Sequence, residues 1–142
     1  MIDGRFPYKH LAKYPHLKPE DIQVWEEFIA QNPKHFLTCD YDVCVGDGAP
    51  QDPNLPENIQ YDGKILTQKK IDVVGYTTTD ITIIELKPIA NMRALGQVLT
   101  YRDLYIKTYP DHPTPKTMII AHSVERETEQ TFQSNGIEIM TV

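Results

Sequence analysis

Two neighbouring stretches decide the fold: Ile71-Asp72-Val73-Val74-Gly75 and Ile81-Thr82-Ile83-Ile84-Glu85-Leu86-Lys87. Both are dense in β-branched residues, so they read as strands over residues 70–77 and 80–87. Thr78-Thr79 is then the tip of a hairpin, and Pro88 ends the second strand. Counting outward from that tip sets Asp72 directly across from Glu85, whereas a three-residue loop would shift the register by one and part them. In the two-residue register their side chains share a face, with Cβ atoms ~5 Å apart. Lys87, two residues beyond Glu85, lies on that face as well.

The flanking residues make this arrangement expensive unless it is used. Ile71, Val73, Val74, Ile81, Ile83, Ile84 and Leu86 leave the hairpin apolar on both faces, as in a strand pair covered on both sides. Carboxylates buried there repel one another unless a proton or a cation intervenes. Two oxygen ligands suit Mg²⁺ or Mn²⁺, which keep waters and accept phosphate oxygens. Such a metal activates water and stabilises charge developing on a phosphodiester, and a lysine beside it positions the water or neutralises the phosphate.

Working outward, Pro19 starts a helix, with Glu20 and Asp21 complementing its dipole. Ile22, Trp25 and Ile29 lie on one side, Val24 and Phe28 widen the stripe, and Asn32-Pro33 ends it. Glu26 borders that apolar face and is the candidate for an extra metal ligand, whereas Glu27 points away. Residues 35–46 read as a strand, and 47–67, with Gly48, Pro50, Pro53, Pro56 and Gly63, as a long loop. Asn91 caps a helix to about residue 108, in which Gln97 and Tyr101, four apart, share the inward face. A strand (116–121), a helix (124–134) stopped by Asn135-Gly136 and a last strand (137–141) complete the chain. Residues before Lys18 carry aromatics and bases without periodicity and read as an extended arm. The order α-β-β-β-α-β-α-β implies an α/β fold: one domain over 1–142, with a mixed β-sheet flanked by helices.

Composition sets the outer bounds. With 142 residues, 40% hydrophobic and 24% charged, the chain fits one soluble globular domain. It has no membrane-length apolar run and no signal-peptide pattern. Cys39 and Cys44, five apart in one strand, point to opposite faces and stay unpaired, which fits a reduced, intracellular (cytoplasmic) setting. The net charge of −6 weighs against a broad affinity for nucleic acid, although carboxylates at a cation site account for part of it.

Asp72 followed by Glu85-Leu86-Lys87 on the next strand resembles the signature of the PD-(D/E)xK nuclease superfamily. Gln97-Val98-Leu99-Thr100-Tyr101 is similar to the Q-x-x-x-Y motif of its RecB-type and lambda-exonuclease branch. The resemblance covers roughly residues 20–121 and implies a restriction-endonuclease-like core. It also implies an Mg²⁺- or Mn²⁺-dependent nuclease acting on DNA, single-stranded, duplex or branched. Asp72 and Glu85 would bind metal, Lys87 would be the catalytic lysine, Gln97 and Tyr101 would orient site groups or DNA, and Glu26 would match the first-helix acid. Ile71 stands where the name-giving proline would be. The upstream histidine of RecB-type members has His10, His16 and His35 as candidates, and two cysteines exclude the four-cysteine iron–sulfur version. A small domain without a separate recognition module fits structure-selective cutting by a homo-oligomer. Two other readings stand beside it: a non-catalytic nucleic-acid- or protein-binding module on the same fold, and a hydrolase of another phosphoester.

Overall fold

In the computed structural model, which describes residues 2–142, the hairpin forms in the expected register. Strand β3 (Lys69–Tyr76) runs antiparallel to β4 (Ile81–Ala90), with Val73 opposite Ile84 and Tyr76 opposite Ile81. The turn closes through the Thr77 N–H to the Asp80 carbonyl, 3.0 Å, and the Thr77 hydroxyl accepts from the Asp80 N–H at 2.9 Å. That side-chain bond supports a tip that lacks the usual glycine or asparagine.

Around the hairpin the sheet has six strands in sequence order. A short β1 (Phe6–Pro7) pairs antiparallel with β2 (Thr38–Val45), and β2 pairs antiparallel with β3. On the other side β4, β5 (Lys116–Val124) and β6 (Ile137–Thr141) are parallel. Helix α1 (Pro19–Gln31) covers one face, packing Val24, Trp25 and Phe28 on Tyr41, Val73, Ile84, Leu86 and Ile120. Helices α3 (Met92–Thr108) and α4 (Arg126–Ser134) cover the other through Tyr105, Val98 and Phe132. Trp25 donates to the Tyr41 hydroxyl at 2.9 Å, so even this buried indole N–H has its partner. The mixed sheet between helices is the expected α/β class, and no helix among the described residues is long and apolar enough to cross a membrane.

Three expectations change. The arm is not merely extended: it supplies edge strand β1 and buries Tyr8 and Tyr14 in the core under α1. The stretch 47–67 is not all loop, because Glu57–Thr67 forms helix α2. None of its residues is buried, and Leu66 is 79% exposed, so no apolar stripe announced it. Local bonds hold it instead, among them the Thr67 hydroxyl accepting from the Ala49 N–H at 2.7 Å. Finally, Pro88 does not end β4. Its flanking residues Lys87 and Ile89 pair with β5, while β3 has already parted from β4, leaving the proline on an open edge where its missing N–H costs little.

Asn91 caps α3 as expected, its side chain accepting from the Ala94 N–H at 3.2 Å. Asn91→Ala is expected to lower stability by about 1 kcal/mol, read as a lower urea midpoint at unchanged slope.

Candidate active site

The β3–β4 ladder stops at Val73 and Ile84. Beyond that point β3 stays with β2 as far as Lys69, and β4 stays with β5 as far as Ala90. The sheet therefore forks, and Asp72 and Glu85 are the first residues past the last paired rung. The Asp72 carboxylate spans the opening, accepting the Leu86 N–H at 3.1 Å where a main-chain carbonyl would otherwise serve.

Glu85 is 3% exposed, and its Oε2 has no hydrogen-bond partner. Its other oxygen lies 3.6 Å from the Lys87 ammonium. Burial pushes the Glu85 carboxyl up to about 9; the Asp72 charge adds to the rise and Lys87 opposes it. Asp72 is raised too, again by burial, against the pull of the Leu86 N–H, Glu85 and Lys87. A negative charge on Asp72 therefore helps keep the proton on Glu85.

The other expected residues divide. Gln97 and Tyr101 reach this corner from α3. Burial, then the charges of Glu85 and Asp72, pushes the Tyr101 hydroxyl up to about 12, and Gln97 lies one helical turn before it. Gln97 Oε1 is buried without a partner. Glu26 is not brought to the carboxylates: its Oε2 lies 2.9 Å from His10 Nδ1, while Glu27 pairs with His122 at 2.8 Å. The first-helix acid that does face the cluster is Asp21, 8% exposed, which burial and then the Asp72 charge push up to about 6. Asp21 shares the buried stripe of Val24, Trp25 and Phe28, so helical spacing carried the signal. Its place in the first turn offered a sufficient reason for an acid there, the helix dipole, and so masked it. Of the upstream histidines, His10 holds Glu26, His35 packs on Phe28 and Phe36, and His16 lies 3.7 Å from Asp42.

Asp42 was also missed. It sits between paired Tyr41 and Val43, at the level of Asp72 across the β2–β3 ladder, and its φ is +54°. An aspartate in the left-handed region inside a strand is strained, and its partner His16 has the same φ. No alternation pattern reveals such a residue.

The corner is short of positive charge. The cations that act on Asp21, Asp72 and Glu85 are Lys87 and, for the two aspartates, the exposed Lys18. An orphaned carboxylate oxygen beside a second raised carboxyl is the environment a divalent cation relieves. Among the described residues no cluster of three or more His, Cys, Asp or Glu forms a ready-made cage. Mg²⁺ does not need one: one or two carboxylates, waters and a substrate phosphate complete its octahedron. Asp72 and Glu85 fit that role.

Neither a protein-family model nor a curated protein sequence matches this chain. Among solved structures, a repair endonuclease from Pyrococcus abyssi superposes with a TM-score of 0.53 at 17% identity, over 93% of this chain and 49% of that one. The EndoMS–dsDNA2 complex gives 0.51 at 15% identity, over 93% and 48%. The chain thus spans about half the length of each, and what it shares with them is the fold.

Proposed function

We infer that this chain is a divalent-metal-dependent nuclease of the PD-(D/E)xK type that hydrolyses phosphodiester bonds of DNA. One observation carries the reading: Glu85, buried with an unpartnered oxygen, stands beside Asp72 and within 3.6 Å of Lys87 at a fork in the sheet. The likeness in fold to two repair endonucleases, one of them bound to DNA, supports it. Gln97 and Tyr101 at the same corner support the RecB-type and lambda-exonuclease branch.

Asp72 and Glu85 would hold the metal, which supplies water activation and stabilises charge on the phosphate. Lys87 holds the attacking water or the scissile phosphate, its ammonium kept in place by Glu85. Gln97 and Tyr101 border the carboxylates from α3, and Asp21 adds negative charge from the α1 side. The Leu86 N–H fixes which way Asp72 points.

The test is cleavage of a labelled panel of single-stranded, duplex, flapped and four-way DNA with Mn²⁺ and then Mg²⁺, wild type beside Asp72→Asn and Lys87→Ala. Metal-dependent cutting by wild type, reduced at least about a hundredfold by either change, is the expected result. A folded wild type that cuts nothing while both metals leave its melting temperature unchanged would reject the nuclease and favour a binding module.

A further inference from the structure

Beside the carboxylates lies a cavity of about 410 Å³, lined by Lys69, Arg93, Gly96, Gln97, Thr100 and Tyr101. It shares Gln97 and Tyr101 with the candidate site, and Lys69 lies three residues before Asp72 on β3. Two of its residues are cationic and none is acidic, in a chain whose net charge is −6. A local concentration of positive charge on an acidic protein marks a place for an anion.

The sequence of α3 is set against helix stability at this spot, twice. Arg93 stands in the first turn, where a cation opposes the helix dipole, and no acid accompanies it there. Gly96 stands in the helix interior, where glycine costs stability relative to alanine. Space does not demand the glycine, because a Cβ added there would meet nothing within 4 Å. The helix loses stability at both positions, and at both the cavity gains: charge from Arg93, and room for close approach to the backbone at Gly96. Departures of this kind from local preference concentrate where a ligand binds.

We propose that the cleft between Lys69 and Arg93, floored by Gly96, holds the nucleic-acid backbone phosphate next to the one being cut. Lys69 and Arg93 grip it from β3 and α3, and the bare Gly96 lets the strand lie against the helix. Lys69 also lines a second cavity, about 340 Å³, but Asp47 shares that lining, so the phosphate belongs on the Arg93 side of Lys69. This subsite deepens the nuclease reading and rests on it.

The experiment measures binding of fluorescein-labelled single-stranded and duplex oligonucleotides across a salt series. A Lys87→Ala background keeps the strand uncut, and a parallel Mn²⁺ cleavage assay uses the otherwise wild-type protein. Lys69→Ala and Arg93→Ala are each expected to flatten the slope of log affinity against log salt by roughly 0.7–0.9, and to weaken binding about tenfold. Gly96→Ala is expected to melt a few degrees higher and yet bind about tenfold more weakly. Because that change favours the helix, misfolding cannot account for its loss of binding. Lys34→Ala, in the turn after α1, is the control and should keep the parent slope.

Parent slopes in both cation variants, or Gly96→Ala binding as well as its parent, would overturn the subsite while cleavage by wild type left the nuclease standing. Flattened slopes without any cleavage would keep a nucleic-acid phosphate site in the cleft and overturn its assignment as the neighbour of a cut phosphate. A control slope that falls as far as the others would overturn the subsite, since the charge effect would then belong to the whole surface.

Discussion

Glu85→Gln is expected to leave the protein folded and to abolish metal-dependent cutting. Burial has already pushed this carboxyl up to about 9, so near pH 7 the metal-free side chain carries its proton. Glutamine reproduces that neutral form in shape and charge, and the melting temperature in EDTA should stay within a few degrees of wild type. The loss appears when metal is added. An amide oxygen lacks the negative charge with which Glu85 and Asp72 would hold a divalent cation, so Mn²⁺ should no longer raise the melting temperature. Cleavage should fall by at least about a thousandfold. A Glu85→Gln protein that cuts near the wild-type rate, or still melts higher with Mn²⁺, would remove Glu85 from the site.

The second large effect is a fall in stability as pH rises, which metal reverses. Glu85 has an ordinary value of 4.5 and is raised to about 9 in the folded protein, so between these limits the native state binds more protons than the unfolded one. The stabilisation linked to that proton is complete below pH 4.5 and is lost as pH climbs toward 9. Asp21, raised from 3.8 to about 6, acts in the same direction over a lower window. The total is on the order of a few kcal/mol, or roughly ten degrees of melting temperature, between pH 5 and pH 9 in EDTA. This runs opposite to the usual acid-labile carboxylate. In millimolar Mn²⁺ the cation takes the proton's place and the decline should flatten or invert. Thermal melts at half-unit pH steps, with EDTA and with Mn²⁺, check both halves. Equal pH dependence with and without metal would show that these carboxyls hold no cation.

The hairpin was the most legible part of the chain: two β-branched runs left a two-residue tip or a three-residue loop, and the register of the two-residue tip is the one formed. Helix α1, the Asn91 cap and the alternation of strands and helices after residue 90 were also readable, because their apolar periodicity serves the core. Features that do not serve the core were hidden. Helix α2 buries nothing, β1 is two residues long, and Pro88 is tolerated only because the sheet has already forked beside it. At the site, Asp72, Glu85 and Lys87 followed from strand alternation. Choosing Asp21 over Glu26 required knowing that α1 aims its N-terminal turn at the fork and that His10 engages Glu26. The strain at Asp42 leaves no trace in composition or spacing.

The fork has a mechanical consequence. Past their last shared rung, Asp72 rides on a blade anchored to β2 and Glu85 on a blade anchored to β5, with the Asp72–Leu86 bond as a strut across the gap. The distance between the two acids is therefore set by the opening angle of a pair of shears whose pivot is the rung between Val73 and Ile84. Packing changes under either blade, at Tyr41 or at Ile120 for example, alter that angle without touching a charged group. Damage to the site can therefore arise far from it, as a change in leverage.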